Sequence, residues 1–322
     1  MYVIKDMGKN LFVCTKPLQY FNINNIPYCD FFDKSDETVL AIVGSFDGAR
    51  SFTDRVRKYD HFWNRVLYFE SLDRVFLYIW TNFRIRNLIL NCDLGLLTAI
   101  TCSLRSFDVY TYEEGIGSYG LWYRIGSNNK YKNSILERLR IIFGNGRRMN
   151  ESRWLKGCFL YYPNLFYHFR PKSHVKALPM KGSFTAQMDS RIAFYSTIFN
   201  ADTSLVDTIL KKNVLLYITS KNIDLSIIDE IKKKNGSYDY IIIKPHPHII
   251  NFPSLDLENC IFIKGQLMAE FLIARLLNNG NNLTIFHNNS TAVVYFQKLA
   301  RVVSFGIDKD SDFIYQYVRE GC

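Results

Sequence analysis

No run of the chain comes near the ~20 consecutive apolar residues that a membrane-crossing helix requires. Residues 1–10 do not form a charged region followed by an apolar one, so no secretion signal is expected. Cysteine is sparse: the seven residues Cys14, Cys29, Cys92, Cys102, Cys158, Cys260 and Cys322 are odd in number and form no CxxC pair. They are expected to be reduced, mostly buried thiols of a cytoplasmic protein. Internal repeats, low-complexity tracts and nucleic-acid motifs are all lacking, so nucleic acid is not an expected partner.

What the sequence does have is bulk and aromatic content. At 322 residues, 48% hydrophobic and 16% aromatic, it is long enough for two domains with substantial cores. Basic residues outnumber acidic ones by 40 to 30, a formal net charge of +10. This suits an anionic substrate, an anionic membrane or nucleic acid. Arg124, Lys130, Lys132, Arg138, Arg140, Arg147, Arg148, Arg153 and Lys156 concentrate that charge, with Glu137 and Glu151 among them. Ile135, Leu136, Leu139, Ile142 and Phe143 recur at near-helical spacing. A basic amphipathic helix is therefore expected, either packed as a solvated face or resting peripherally on the inner membrane.

Short β-rich runs at 10–15, 39–44, 74–79 and 108–112 lead the first half. Runs at 214–219, 238–243, 260–264, 283–287 and 301–305 lead the second, alternating with helical patterns at 225–234, 268–277 and 292–299. Such alternation implies an α/β chain with parallel sheets covered on both faces. The expectation is a GT-B-like pair of Rossmann-type domains whose sheets face a central cleft. The boundary falls in the Pro-containing segment 161–180, giving domains 1–175 and 176–322.

Ligands of open α/β sheets sit at the carboxyl ends of the strands. There the first half places Glu113-Glu114-Gly115, an acid pair with a turn behind it, able to supply a general base. The second half places Lys244-Pro245-His246-Pro247-His248, in which His246 is held between prolines and suited to proton donation. Ser290 and Thr291 precede a helical pattern and could cap it or cradle a phosphate. Glu270 opens the 268–277 pattern and could accept ribose hydroxyls. Asp224 is a competing base or a helix cap. No ligand spacing around His246, His248 and His287 is convincing for a metal. Asp308-Lys309-Asp310-Ser311-Asp312 resembles a calcium loop but carries Phe313 where glycine is needed.

In order along the chain, Glu113-Glu114-Gly115, His246-Pro247 and Ser290-Thr291 resemble motifs of bacterial sialyltransferases. Leu11-Phe12-Val13-Cys14-Thr15-Lys16-Pro17-Leu18-Gln19 is similar to the opening strand and loop of glycosyltransferase family 52, which contains lipooligosaccharide sialyltransferases. Lys16 departs from the tightest form of that loop. The resemblance implies an inverting transfer of sialic acid from CMP-sialic acid to a terminal galactose of a lipooligosaccharide, O-antigen or capsule, in an α2,3 linkage. No metal and no cofactor are implied. Glu113 or Glu114 would be the base, with Asp224 as the rival. His246 would assist the departing CMP. Gly115, Lys244, Pro247, Glu270, Ser290 and Thr291 would bind the donor. Transfer of another CMP-activated acid sugar such as Kdo, or a non-catalytic nucleic-acid-binding role, are the alternatives.

Overall fold

A computed structural model of the chain describes residues 7–119, 135–220, 223–246, 249, 252–253, 255, 257–263, 265, 267–288 and 290–321. Arg124, Lys130 and Lys132 of the basic stretch, and Pro247 and His248 of the histidine-proline motif, lie outside the described residues. The chain divides into two compact units, Met1–Ser183 and Phe184–Cys322. Each contains one wholly parallel sheet, so the fold is α/β with two Rossmann-type units, a GT-B-like arrangement.

In the first unit the strands are β1 (Lys9–Cys14), β2 (Glu37–Val43), β3 (Arg65–Phe69), β4 (Ile85–Leu90), β5 (Asp108–Tyr112), β6 (Leu155–Leu160) and β7 (Lys176–Pro179). They lie in the order β3-β2-β1-β4-β5-β6-β7. The helices are α1 (Pro17–Asn24), α2 (Tyr28–Phe31), α3 (Ala49–Tyr59), α4 (Leu72–Thr81), α5 (Leu96–Leu104), α6 (Ile135–Ile142) and α7 (Pro163–Phe169). The central strands β1 and β2 are buried almost end to end, as continuous apolar runs covered on both faces require. Phe12 packs edge-on against Phe32 and Trp63, and Phe32 against Tyr110, which anchors β1 and β5 in one aromatic core.

In the second unit β8 (Asn213–Ile218), β9 (Tyr240–Lys244), β10 (Cys260–Phe262), β11 (Asn282–His287) and β12 (Arg301–Ser304) run in the order β10-β9-β8-β11-β12. The helices are α8 (Phe184–Ser190), α9 (Ile192–Phe199), α10 (Ser204–Asp207), α11 (Leu225–Lys234), α12 (Ala269–Asn278) and α13 (Lys309–Glu320). Ile227, Ile228 and Ile231 of α11 close over Leu215, Tyr217, Ile241 and Ile243 to form the core on one face.

Two local expectations are corrected. Residues 74–79 are helical, within α4. Val75, Phe76 and Ile79 are the buried positions, a helical spacing that an unbroken apolar run conceals. The 292–299 pattern is a six-residue 3-10 helix, Thr291–Phe296, rather than an α-helix.

Candidate functional site

In the first unit the chain winds outward from β1 through β2 to β3, then returns to wind the other way from β4 through β5 and β6 to β7. The strand order therefore reverses between β1 and β4, the position at which open parallel sheets form a crevice. Glu114, just past β5, lies beside that reversal. Its Oε1 accepts from Lys16 Nζ at 2.7 Å and from Gln19 Nε2 at 2.8 Å, and its Oε2 accepts from Asn91 Nδ2 at 3.0 Å. The donors come from the loop after β1, from α1 and from the loop after β4. Gln19 is fixed in turn, since its Oε1 accepts from the amide and hydroxyl of Thr15 at 2.6 and 2.9 Å. A carboxylate can accept about four hydrogen bonds, and three are used here. The Lys16 side chain is largely exposed, so its ion pair orients Glu114 more than it stabilises the fold.

Glu113 takes a different set of partners. Its amide continues the ladder to Phe159 O at 2.9 Å, and its carbonyl accepts from Asn22 Nδ2 at 2.7 Å. The fully buried carboxylate accepts from Tyr119 Oη at 2.6 Å and from the Tyr161 amide at 2.8 Å. Burial first, and then the Glu113 charge, hold the Tyr119 phenol well above its ordinary range. The two glutamates therefore do not share their hydrogen-bonding partners. Glu113 braces the turn, and Glu114 faces the reversal point.

The turn itself is heavily braced. Gly115 is left-handed at φ 76°, and its carbonyl accepts from the Ser118 amide while Ser118 Oγ accepts from the Glu114 amide at 2.7 Å. Asn150, also left-handed at φ 63°, donates to Ser118 O and accepts from Thr111 Oγ1, both at 2.7 Å. Asp93, buried after β4, accepts from the amides of Asn150, Glu151 and Ser152 at 2.8 to 3.1 Å. Asp93 and Asn150 thus hold the loop on which the Glu114 turn rests.

The second unit reverses between β8 and β11. Asn288 bridges that point by accepting from the Ser220 amide at 3.0 Å. His246, past β9, is half-buried, and its amide donates to Thr219 Oγ1 at 2.7 Å. Lys244 is buried and donates to Gly265 O at 2.9 Å. Burial lowers the pKa of its ammonium, and the charge of Glu270, buried in the first turn of α12, offsets part of that shift. Ser290 and Thr291 are half-buried at the start of the 3-10 helix. The Ser290 amide donates to His287 Nδ1 at 3.2 Å, which leaves the Nε2 proton of His287 to reach Ser304 Oγ at 2.7 Å. Burial pushes His287 down to about 4, so it is neutral at physiological pH.

Two further candidate acids, Asp224 and Asp308, cap helices. Asp224 caps α11, accepting from the amide and hydroxyl of Ser226 at 3.0 and 2.7 Å. Asp308 caps α13 through Ser311. Among the described residues no group of three or more His, Cys, Asp or Glu is placed to hold a metal ion. Lys16, Gln19, Asn91, Asp93 and Asn150 were not expected as site residues. The advance signals were Lys16, which departs from its loop pattern, and Gln19, which closes it; Asn91, Asp93 and Asn150 are polar residues whose partners are set by the alignment of the sheet.

No family model matches the sequence, and no curated protein sequence does. Solved structures do align along nearly the whole chain. A UDP-GlcNAc 2-epimerase from Neisseria meningitidis bound to UDP-GlcNAc superposes with a TM-score of 0.54 at 13% identity, covering 97% of this chain and 90% of that one. A second UDP-N-acetylglucosamine 2-epimerase gives a TM-score of 0.56 at 11% identity, covering 96% of this chain and 81% of that one. At such identities the likeness establishes the fold. It also corrects the resemblance drawn from short motifs. The neighbours are isomerases named for a UDP-sugar, not sialyltransferases. The readings as a glycosyltransferase, with CMP-sialic acid or another CMP-sugar as donor and a galactose-terminated glycan as acceptor in lipooligosaccharide or capsule synthesis, are withdrawn. Three short motifs in the right order can recur on one architecture without one chemistry.

Proposed function

We propose that the chain is a sugar-nucleotide epimerase that acts on a UDP-linked N-acetylhexosamine, with Glu114 moving the proton at the inverted carbon. The observation that carries this reading is the three-donor clamp on Glu114 at the strand-order reversal. Proton transfer at carbon needs a carboxylate held in place before substrate arrives, and this one is fixed from three separate chain segments. Gly115 sets the turn that carries it. We assign the nucleotide to the second unit, where Ser290, Thr291 and His246 are set to meet the phosphates and Glu270, with Lys244 near it, the ribose. We expect no metal requirement, and activity should survive EDTA. The fold shared with two UDP-sugar epimerases supports the substrate class.

The test is incubation with UDP-GlcNAc in deuterium oxide, followed by NMR. Appearance of the C2 epimer with deuterium at that carbon is the expected result. Binding of UDP-GlcNAc without exchange or epimer would sink the reaction, and no binding would sink the substrate as well.

We also place the enzyme in the cytoplasm, peripheral to a membrane. No described helix is long and apolar enough to cross a membrane. Cys14, Cys29, Cys92, Cys102, Cys158 and Cys260 are unbonded, and burial pushes the Cys14 thiol up to about 12. Peripheral contact rests on the basic, amphipathic and exposed α6.

A further inference from the structure

We propose that the outer surface of α4, α5 and α6 docks this protein on an anionic phospholipid bilayer. The inference deepens the peripheral placement above, on which it rests, and is independent of the reaction. The three helices pack side by side, α4 on α5 and α5 on α6. Trp80 Nε1 donates to Thr101 Oγ1 at 3.1 Å, which ties α4 to α5. Arg153 donates to the carbonyls of Ile141 and Ile142, which secures the end of α6.

Their outward faces are unusually apolar. Phe83, just past α4, is 83% exposed, Leu104 of α5 is 60% exposed and Ile135 of α6 is 77% exposed. Trp80, Leu97 and Ile142 are also exposed large hydrophobics. No residue of α6 is buried, and its Ile135, Leu136, Ile141 and Ile142 are exposed while Leu139 is half-buried. The apolar residues are interleaved with cations. Arg105 stacks over Phe83 at 4.5 Å, Arg74 and Arg138 are exposed on α4 and α6, and Arg84 is exposed in the loop after α4. The three helices carry two acids, Asp73 and Glu137, and Glu137 lies 3.5 Å from Arg140.

Beside Phe83 opens a pocket of about 560 Å³ lined by Arg84, Arg86 and Lys156, in which Arg86 pairs with Asp36 at 2.8 Å and Lys156 lies 3.6 Å from Asp108. Exposed aromatic and aliphatic side chains with cations among them match an interface of acyl chains below anionic phosphates. A protein partner would need a complementary shape. Here the apolar residues stand on three separate helices and the loop after α4, which a deformable lipid surface accommodates.

Full-length protein would be sedimented with vesicles of phosphatidylcholine alone and of phosphatidylcholine with phosphatidylglycerol. Binding is expected to be at least about tenfold stronger with phosphatidylglycerol and to weaken with added salt. The variant Phe83→Ser/Leu104→Ser/Ile142→Ser should lose about tenfold. The charge variant Arg74→Glu/Arg138→Glu should lose the preference for phosphatidylglycerol. Leu205→Ser/Leu210→Ser, exposed sites of the second unit, should bind as the wild type. Circular dichroism checks that each is folded. Wild-type binding that survives both first-unit variants overturns this surface but leaves the peripheral placement standing. No wild-type binding overturns both. No vesicle binding together with self-association that the triple variant abolishes makes the face an interface between copies, which also overturns the proposal.

Discussion

Two neighbouring glutamates in this chain do different jobs, and the hydrogen bonds say which does what. Glu114 is oriented by side chains alone, so its removal changes chemistry more than stability. Glu114→Gln should lower deuterium incorporation at least ~100-fold while circular dichroism stays that of the wild type. Glu113 is the reverse. Glu113→Ala leaves a buried phenol and a buried amide without their acceptor, which costs about 2–3 kcal/mol, and a urea titration would show it as a lower midpoint with an unchanged slope. The sequence made both acids visible as a strand-end pair. It could not separate them, because their partners at residues 16, 19, 91, 119 and 161 are set by how the sheet aligns and not by local spacing.

Elements whose pattern is local were legible. Strand β5 and helix α11 fall where alternation and capping place them, and Asp224 precedes α11 as an N-cap should. Asp224→Ala should cost about 1 kcal/mol of stability and leave turnover intact, as thermal melts beside the NMR assay would record. Helix α4 was missed as a helix because six apolar or aromatic residues in succession satisfy either period. The strands β3, β4, β6 and β7 were missed because their apolar runs are short or interrupted by Arg, Asn and Lys.

At the end of β11, His287 makes a pH-dependent contribution whose sign can be worked out. Its folded value of about 4 lies below the unfolded 6.5, so the unfolded chain binds more protons between those limits. The neutral form contributes roughly 3 kcal/mol above pH 6.5, and this is lost as the pH falls toward 4. The melting temperature should therefore drop on acidification through that window. A folded His287→Asn variant should show a flatter slope, and an unchanged slope would remove His287 as its cause.

At the scale of the whole molecule, each sheet is closed within its own stretch of chain. Among the described residues, no strand of Met1–Ser183 pairs with one of Phe184–Cys322. The fragments 1–183 and 184–322, expressed apart, should each unfold cooperatively in urea. Loss of cooperativity in either would mean that it depends on the other. The alternation of strand and helix announced this architecture. The substrate class that the motifs implied, CMP-sialic acid, was overturned, since one doubly wound scaffold serves many reactions and short motifs at its strand ends are shared among them.

The clamp on Glu114 also sets a clock during synthesis. Its lysine and glutamine partners are separated from it by 98 and 95 residues, while its asparagine partner is only 23 away. A ribosome delivers the chain from the amino end, so Lys16 and Gln19 emerge long before the carboxylate they are to hold. The clamp cannot close until β5 has cleared the exit tunnel and docked beside β4, and the unit to which we assign the nucleotide follows later still. Translation pauses placed before residue 114 would delay closure of the clamp, and pauses placed well after it would leave the clamp's timing unchanged.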